Sequence, residues 1–108
     1  MITEFRRYRV TAGDLPDLTH RFAHVVTPLF TAHGFRVEGA WTPTGPGPAH
    51  ELLYAVGWSD EEAMADGWRR FREDPAWERA RETPRYSGLR PDITSTTWTP
   101  AEFLGTRP

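Results

Sequence analysis

The sequence predicts an α+β protein with the split β-α-β-β-α-β, ferredoxin-like order and a four-stranded antiparallel sheet. Three observations carry this. Residues 2–10, 35–42, 50–58 and 92–98 are β-rich, and helical periodicity separates the first from the second and the third from the fourth. Turn and cap residues stand at the junctions: Ala12-Gly13, Gly34, Ser59-Asp60 and Asp74-Pro75. Residues 50–58, HELLYAVGW, are apolar enough for a central strand.

Strand one is ITEFRRYRV. One parity holds Ile2, Glu4, Arg6, Tyr8 and Val10, the other Thr3, Phe5, Arg7 and Arg9. Neither is cleanly apolar, which is unusual for a strand with one wet face. Asp14 is placed to cap a helix starting near Leu15-Pro16. Leu15, Leu18, Phe22, Val25, Val26, Leu29 and Phe30 recur at three- and four-residue steps, so this helix buries one stripe. Pro28 predicts a kink within it, and Gly34 a stop. In strand two, FRVEGAWT, alternation puts Phe35, Val37, Gly39 and Trp41 on one side. Thr42–Pro48, TPTGPGP, reads as a loop.

Ser59-Asp60-Glu61-Glu62 reads as a capping box with Ser59 at the N-cap and Glu62 at N3. The second helix runs to about Glu73, with Ala63, Met64, Gly67, Trp68 and Phe71 as its buried stripe. Asp74-Pro75 starts a short third helix that carries Trp77 and Ala80 inward and ends at Thr83-Pro84. DITSTTW is strand four. Two helices cover one sheet face. The other needs a cover too, and a second copy packed sheet against sheet is one way to supply it.

Composition narrows the chemistry. The 108 residues favour one domain, 1–108. A net charge of −2 gives no sign of a polyanion binder, so no nucleic-acid partner is expected. All 13 cationic side chains are Arg; without Lys there is no Schiff base and no P-loop lysine. Without Cys there is no disulfide, thiolate nucleophile or zinc knuckle. The N-terminus lacks the apolar run of a signal peptide, and no window approaches a membrane span, so a cytoplasmic protein with no membrane partner is expected. The all-Arg, Ala/Gly/Pro-rich composition fits a GC-rich bacterial source.

Four blocks, EFRRYRVTAGDL, HGFRVEGAWTP, HELLYAVGWSDEEA and FREDPAWERA, together resemble the NIPSNAP family of the dimeric α/β-barrel superfamily. They cover most of residues 4 to 80. Glu4, Arg6, Tyr8 and Gly13 match the family's first strand and turn, and Asp74, Pro75 and Trp77 its most specific block. Val56 and Trp58 depart from the aromatic pair that usually closes strand three. The resemblance implies a ferredoxin-like fold and a homodimer whose sheets form a barrel. It implies no single chemistry: relatives include cofactor-free monooxygenases, cyclases, isomerases and haem binders.

Glu4, Arg6 and Tyr8 share a strand face. They form either a polar pocket, where Tyr8 donates a proton and Arg6 holds an enolate oxygen, or a register-fixing ion pair inside the barrel. His20 and His24, at i, i+4, share a helix face, but no third metal ligand is evident and no metal is expected. His24 remains an acid–base candidate, as does His50 at the opening of strand three. His33 falls at a helix C-terminus. Five Trp in so short a chain must be mostly core or interface; Trp41, Tyr54, Trp58 and Trp68 are candidate pocket walls.

The expected function is a small cofactor-independent enzyme of secondary metabolism: oxygenation, cyclisation or isomerisation of an apolar or aromatic metabolite. Tyr8, Arg6, His50 and His24 would act as catalytic groups, with Glu4 and the four aromatics binding the ligand. The alternative is a non-catalytic ligand-binding or interaction protein. The interior discriminates: a cavity of a few hundred Å³ meeting Tyr8 or a His favours the enzyme, an interior filled by Trp the alternative.

Overall fold

The computed structural model of the chain describes residues 1–45 and 50–104, so the Pro/Gly-rich loop after strand two lies partly outside the described residues. Strands β1 (Ile2–Arg9), β2 (Arg36–Trp41), β3 (Glu51–Trp58) and β4 (Asp92–Trp98) form one antiparallel sheet in the order β2-β3-β1-β4. The first helical layer is α1 (Leu15–Arg21), a π-helical segment Phe22–Val26 and α2 (Thr27–Ala32). The second is α3 (Glu61–Glu73), followed by α4 (Pro75–Glu82) and α5 (Pro84–Ser87). This is the β-α-β-β-α-β order, with α4 and α5 inserted before β4. No described helix is long and apolar enough to cross a membrane.

The kink expected at Pro28 is resolved as a π turn. The Thr27 N–H bonds to the Phe22 carbonyl, five residues back, and Pro28 stands in the first turn of α2. Proline has no N–H to give the preceding turn, and the widened turn absorbs the missing bond. His33 caps the C-terminus of α2, and Gly34 adopts φ +73°, the left-handed conformation that ends helices.

Two expected caps differ. The N-cap of α3 is Asp60, whose Oδ1 accepts from the Ala63 N–H at 2.8 Å, so the capping box on Ser59 and Glu62 does not form. Asp60 is extended there and offers a carboxylate to the free N–H groups, a better partner than a hydroxyl. Asp14 stands at the N-cap of α1 without a capping bond from its side chain. Asp74 caps α4 as expected, accepting from Ala76 N–H at 2.8 Å, and its other oxygen accepts from His33 Nε2 at 2.8 Å.

The helices cover the face that carries Glu4, Arg6 and Tyr8; they bury Leu52, Tyr54, Val56 and Trp58 of β3 against Leu18, Leu29, Phe30, Trp68 and Phe71. The Arg–Glu pair therefore lies between sheet and helices, not on the uncovered side. The other face presents Phe5, Arg7, Arg9, Leu53, Thr94, Thr96 and Trp98 around a depression of about 590 Å³. Trp41 belongs with that open face. A β-bulge between Val37 and Gly39 reverses the expected alternation, so Trp41 pairs opposite Leu53 and is 50% exposed.

Candidate polar cavity between sheet and helices

The site is built on β1, because residues two apart on a strand share a face. Glu4, only 2% exposed, has both oxygens occupied. Oε1 accepts from Trp68 Nε1 at 2.7 Å and Trp58 Nε1 at 3.1 Å; Oε2 accepts from Ser95 Oγ at 2.7 Å and Arg6 Nη1 at 3.2 Å. Burial pushes this carboxyl up. The donors from Ser95 and Trp68, the Arg6 charge and the Trp58 donor outweigh it, so Glu4 lies below the usual carboxylate range.

Arg6 spans the cluster. Besides Glu4 it donates from Nε to Tyr54 Oη at 2.9 Å and from Nη2 to Tyr8 Oη at 3.5 Å, and its guanidinium carbon lies 4.4 Å from the centre of the Trp68 ring. Burial disfavours the Arg6 charge, but the two tyrosines and Glu4 prevail and raise its pKa. Tyr54 is pushed far up by burial and by Tyr8, so it stays a neutral phenol despite Arg6. The two phenol oxygens are 3.3 Å apart. Each phenol oxygen accepts from Arg6, and either phenol can donate to the other. Arg6, Tyr54 and Tyr8 thus form one hydrogen-bonded cluster, and the phenol that accepts from the other keeps its own O–H to donate outward.

The cluster lines a cavity of about 140 Å³. Arg6, Tyr8, Tyr54, Arg21 and Arg72 form its polar wall. Phe22, Val26, Phe30, Phe71 and Trp77 supply most of the apolar wall. Arg72 and Ile93, also lining it, are exposed, which puts the mouth there. A space of this size takes one six-membered ring and not a polycyclic molecule. It is smaller than the few hundred Å³ expected for an enzyme; Trp68, bonded through Nε1 to Glu4, forms part of its wall.

Of the residues singled out in the sequence, Arg6, Tyr8, Tyr54 and Trp68 meet at the cavity. Glu4 and Trp58 sit behind the wall as its support. Trp41 lies across the sheet. His24 is exposed on the outer side of the π segment, its ring 4.1 Å from that of His20, which bonds Tyr86 Oη at 2.6 Å. No group of three or more potential metal ligands gathers among the described residues. His50 offers its backbone carbonyl to Val10 N–H at 3.0 Å and is not among the lining residues.

Sequence reading missed Arg21, Arg72 and Ser95; Trp77 was expected to point inward, and it lines the cavity. Arg21 carried a signal: it stands three residues after Leu18, inside the apolar stripe, where a charge needs a reason. Ser95 becomes visible only through register, as the partner of Arg6 across β1 and β4.

Comparison with known proteins gives the same fold. The profile of the NIPSNAP family matches residues 3–104. An uncharacterized NIPSNAP domain protein from Burkholderia xenovorans is 27% identical, with 95% of this chain and 97% of that one covered at a TM-score of 0.78. A NIPSNAP family protein from Agrobacterium tumefaciens is 20% identical, with 98% of each chain covered at 0.81. A provisionally assigned antibiotic biosynthesis monooxygenase from Deinococcus radiodurans shares the fold at 14% identity, 94% coverage of each chain and a TM-score of 0.62. No curated protein matches the chain. With the profile spanning nearly the whole sequence, the chain belongs to the NIPSNAP family.

Proposed function

We propose that this protein is a small cofactor-independent enzyme acting on a compact apolar or aromatic metabolite, in the cavity between sheet and helices. One observation carries the reading: Tyr8 and Tyr54, bonded to each other and both accepting from Arg6, line a ring-sized cavity. A neutral phenol backed by a guanidinium stabilises negative charge developing on a carbonyl oxygen. That suits isomerisation or cyclisation through an enolate whose α-proton is lost to solvent hydroxide at the mouth beside Arg72 and Ile93, and oxygenation of that enolate would take dioxygen as the oxidant. Trp68 and Tyr54 act as walls, and Glu4 and Trp58 hold the array. His24 and His50 play no part in this version of the mechanism.

The protein works as a homodimer, its open sheet face covered by a second copy. Phe5, Leu53 and the exposed Trp41 and Trp98 give that face an apolar centre, and an isologous pairing would bury it.

The test uses acetophenone in D₂O, followed by NMR. The wild type should exchange the methyl protons faster than buffer, and Tyr8→Phe should lose about a hundredfold of that excess. Among the described residues the cavity wall has no carboxylate or imidazole to take a proton. This favours the second reading, a binding protein; acetophenone bound without exchange would establish it.

A further inference from the structure

Arg21 is the least explained residue of the cavity. It is 7% exposed, and its Nε is the one buried side-chain nitrogen or oxygen among the described residues without a hydrogen-bond partner. No described carboxylate lies within salt-bridge distance of it. Its guanidinium carbon lies 5.2 Å from the centre of the Trp77 ring, a contact that leaves Nε without a hydrogen-bond partner. A buried guanidinium nitrogen without an acceptor is costly, because its desolvation is not offset by a bond. Burial pulls the Arg21 pKa down, and the nearby Arg81 charge works in the same direction. Arg6, by contrast, has Glu4.

The cavity wall thus holds three guanidinium groups, and Arg6 alone has a carboxylate among the described residues. Resting on the reading of the cavity given above, we infer that its ligand is a compact aromatic or apolar monocarboxylate. Its carboxylate is held by Arg21 and Tyr8, and its ring lies among Phe22, Phe71 and Trp77. Two features favour a carboxylate over a phosphate. A planar guanidinium edge matches two coplanar oxygens. The wall opposite the polar groups is aromatic and offers nothing to a third or fourth oxygen. Arg72 at the mouth adds a second cation that draws an anion in.

The test is titration of the intact protein by NMR with benzoate, benzamide and inorganic phosphate, in wild type, Arg21→Met and Arg21→Lys. Benzoate should bind about tenfold or more tightly than benzamide, and phosphate should not compete. Arg21→Met keeps the packing on Trp77 and removes the charge, so benzoate affinity should fall to that of benzamide; Arg21→Lys should recover part of it. Arg21→Met should unfold at no lower temperature than the wild type, since it removes an unsatisfied buried group. Equal affinity for benzoate and benzamide, or benzoate binding that survives Arg21→Met, overturns the anion and leaves the cavity reading standing. Competition by phosphate overturns the carboxylate. If neither ring binds, the carboxylate inference is overturned, and acetophenone exchange then decides whether the cavity reading falls with it.

Discussion

Glu4 accepts from two indoles, one hydroxyl and one guanidinium, all donors. A carboxamide cannot take that place, since turning its NH₂ towards Arg6 sets donor against donor. Glu4→Gln should therefore cost about 3 kcal/mol, read by denaturant unfolding. The pH dependence has a definite sign. Glu4 has a folded pKa below its unfolded one, so its contribution is complete above the unfolded value, 4.5, and is lost as pH falls through the lower folded value. Wild type should lose stability steeply below pH ~4.5, and Glu4→Gln should show a shallower acid loss. A mutant curve parallel to the wild type would show that Glu4 is not the group responsible. From sequence, the Glu4–Arg6–Tyr8 face was legible because strand parity is a local property. That Trp58, Trp68 and Ser95 would converge on one carboxylate was not, since they arrive from β3, α3 and β4.

Between elements, α3 meets β3 at Gly67. A Cβ there would stand 2.5 Å from the ring of Trp58, which is buried and pinned by its bond to Glu4. Helix propensity alone favours Ala at an interior position by about 1 kcal/mol. Here overpacking should prevail, and Gly67→Ala should destabilise by about 1–3 kcal/mol in chemical denaturation. Weaker indole fluorescence perturbation at Trp58 than at other tryptophans would contradict this cause. The order of elements and their caps were largely readable, as the Asp74-Pro75 start of α4 shows. That stretch proves to be more than a cap: Asp74 also joins α4 to the end of α2 through His33. The expected side of Trp41 failed for a definite reason. A bulge shifts register by one residue, which local alternation cannot reveal.

As a whole the molecule is a slab, with extents of 46 × 37 × 18 Å. The thin dimension is one sheet plus one layer of helices, so one sheet face remains uncovered by the chain itself. With Trp98 61% exposed beside Phe5, the homodimer proposed above would bury this face. Sedimentation at micromolar concentration should give a dimer, and Trp98→Glu should shift it towards monomer while the helix-side core still folds. A wild-type monomer would remove the proposed barrel.

The sequence by itself determined the order of strands and helices, the shared strand face of Glu4, Arg6 and Tyr8, and membership of the family. These rest on periodicity, capping chemistry and short motifs, all properties of neighbouring residues. Tertiary structure alone decided which sheet face the polar strand residues occupy, how small the cavity is, and that Arg21 stands in it without a partner. Those depend on where helices land on a sheet and on the bulge that resets β2, and both are fixed by contacts between residues far apart in the chain.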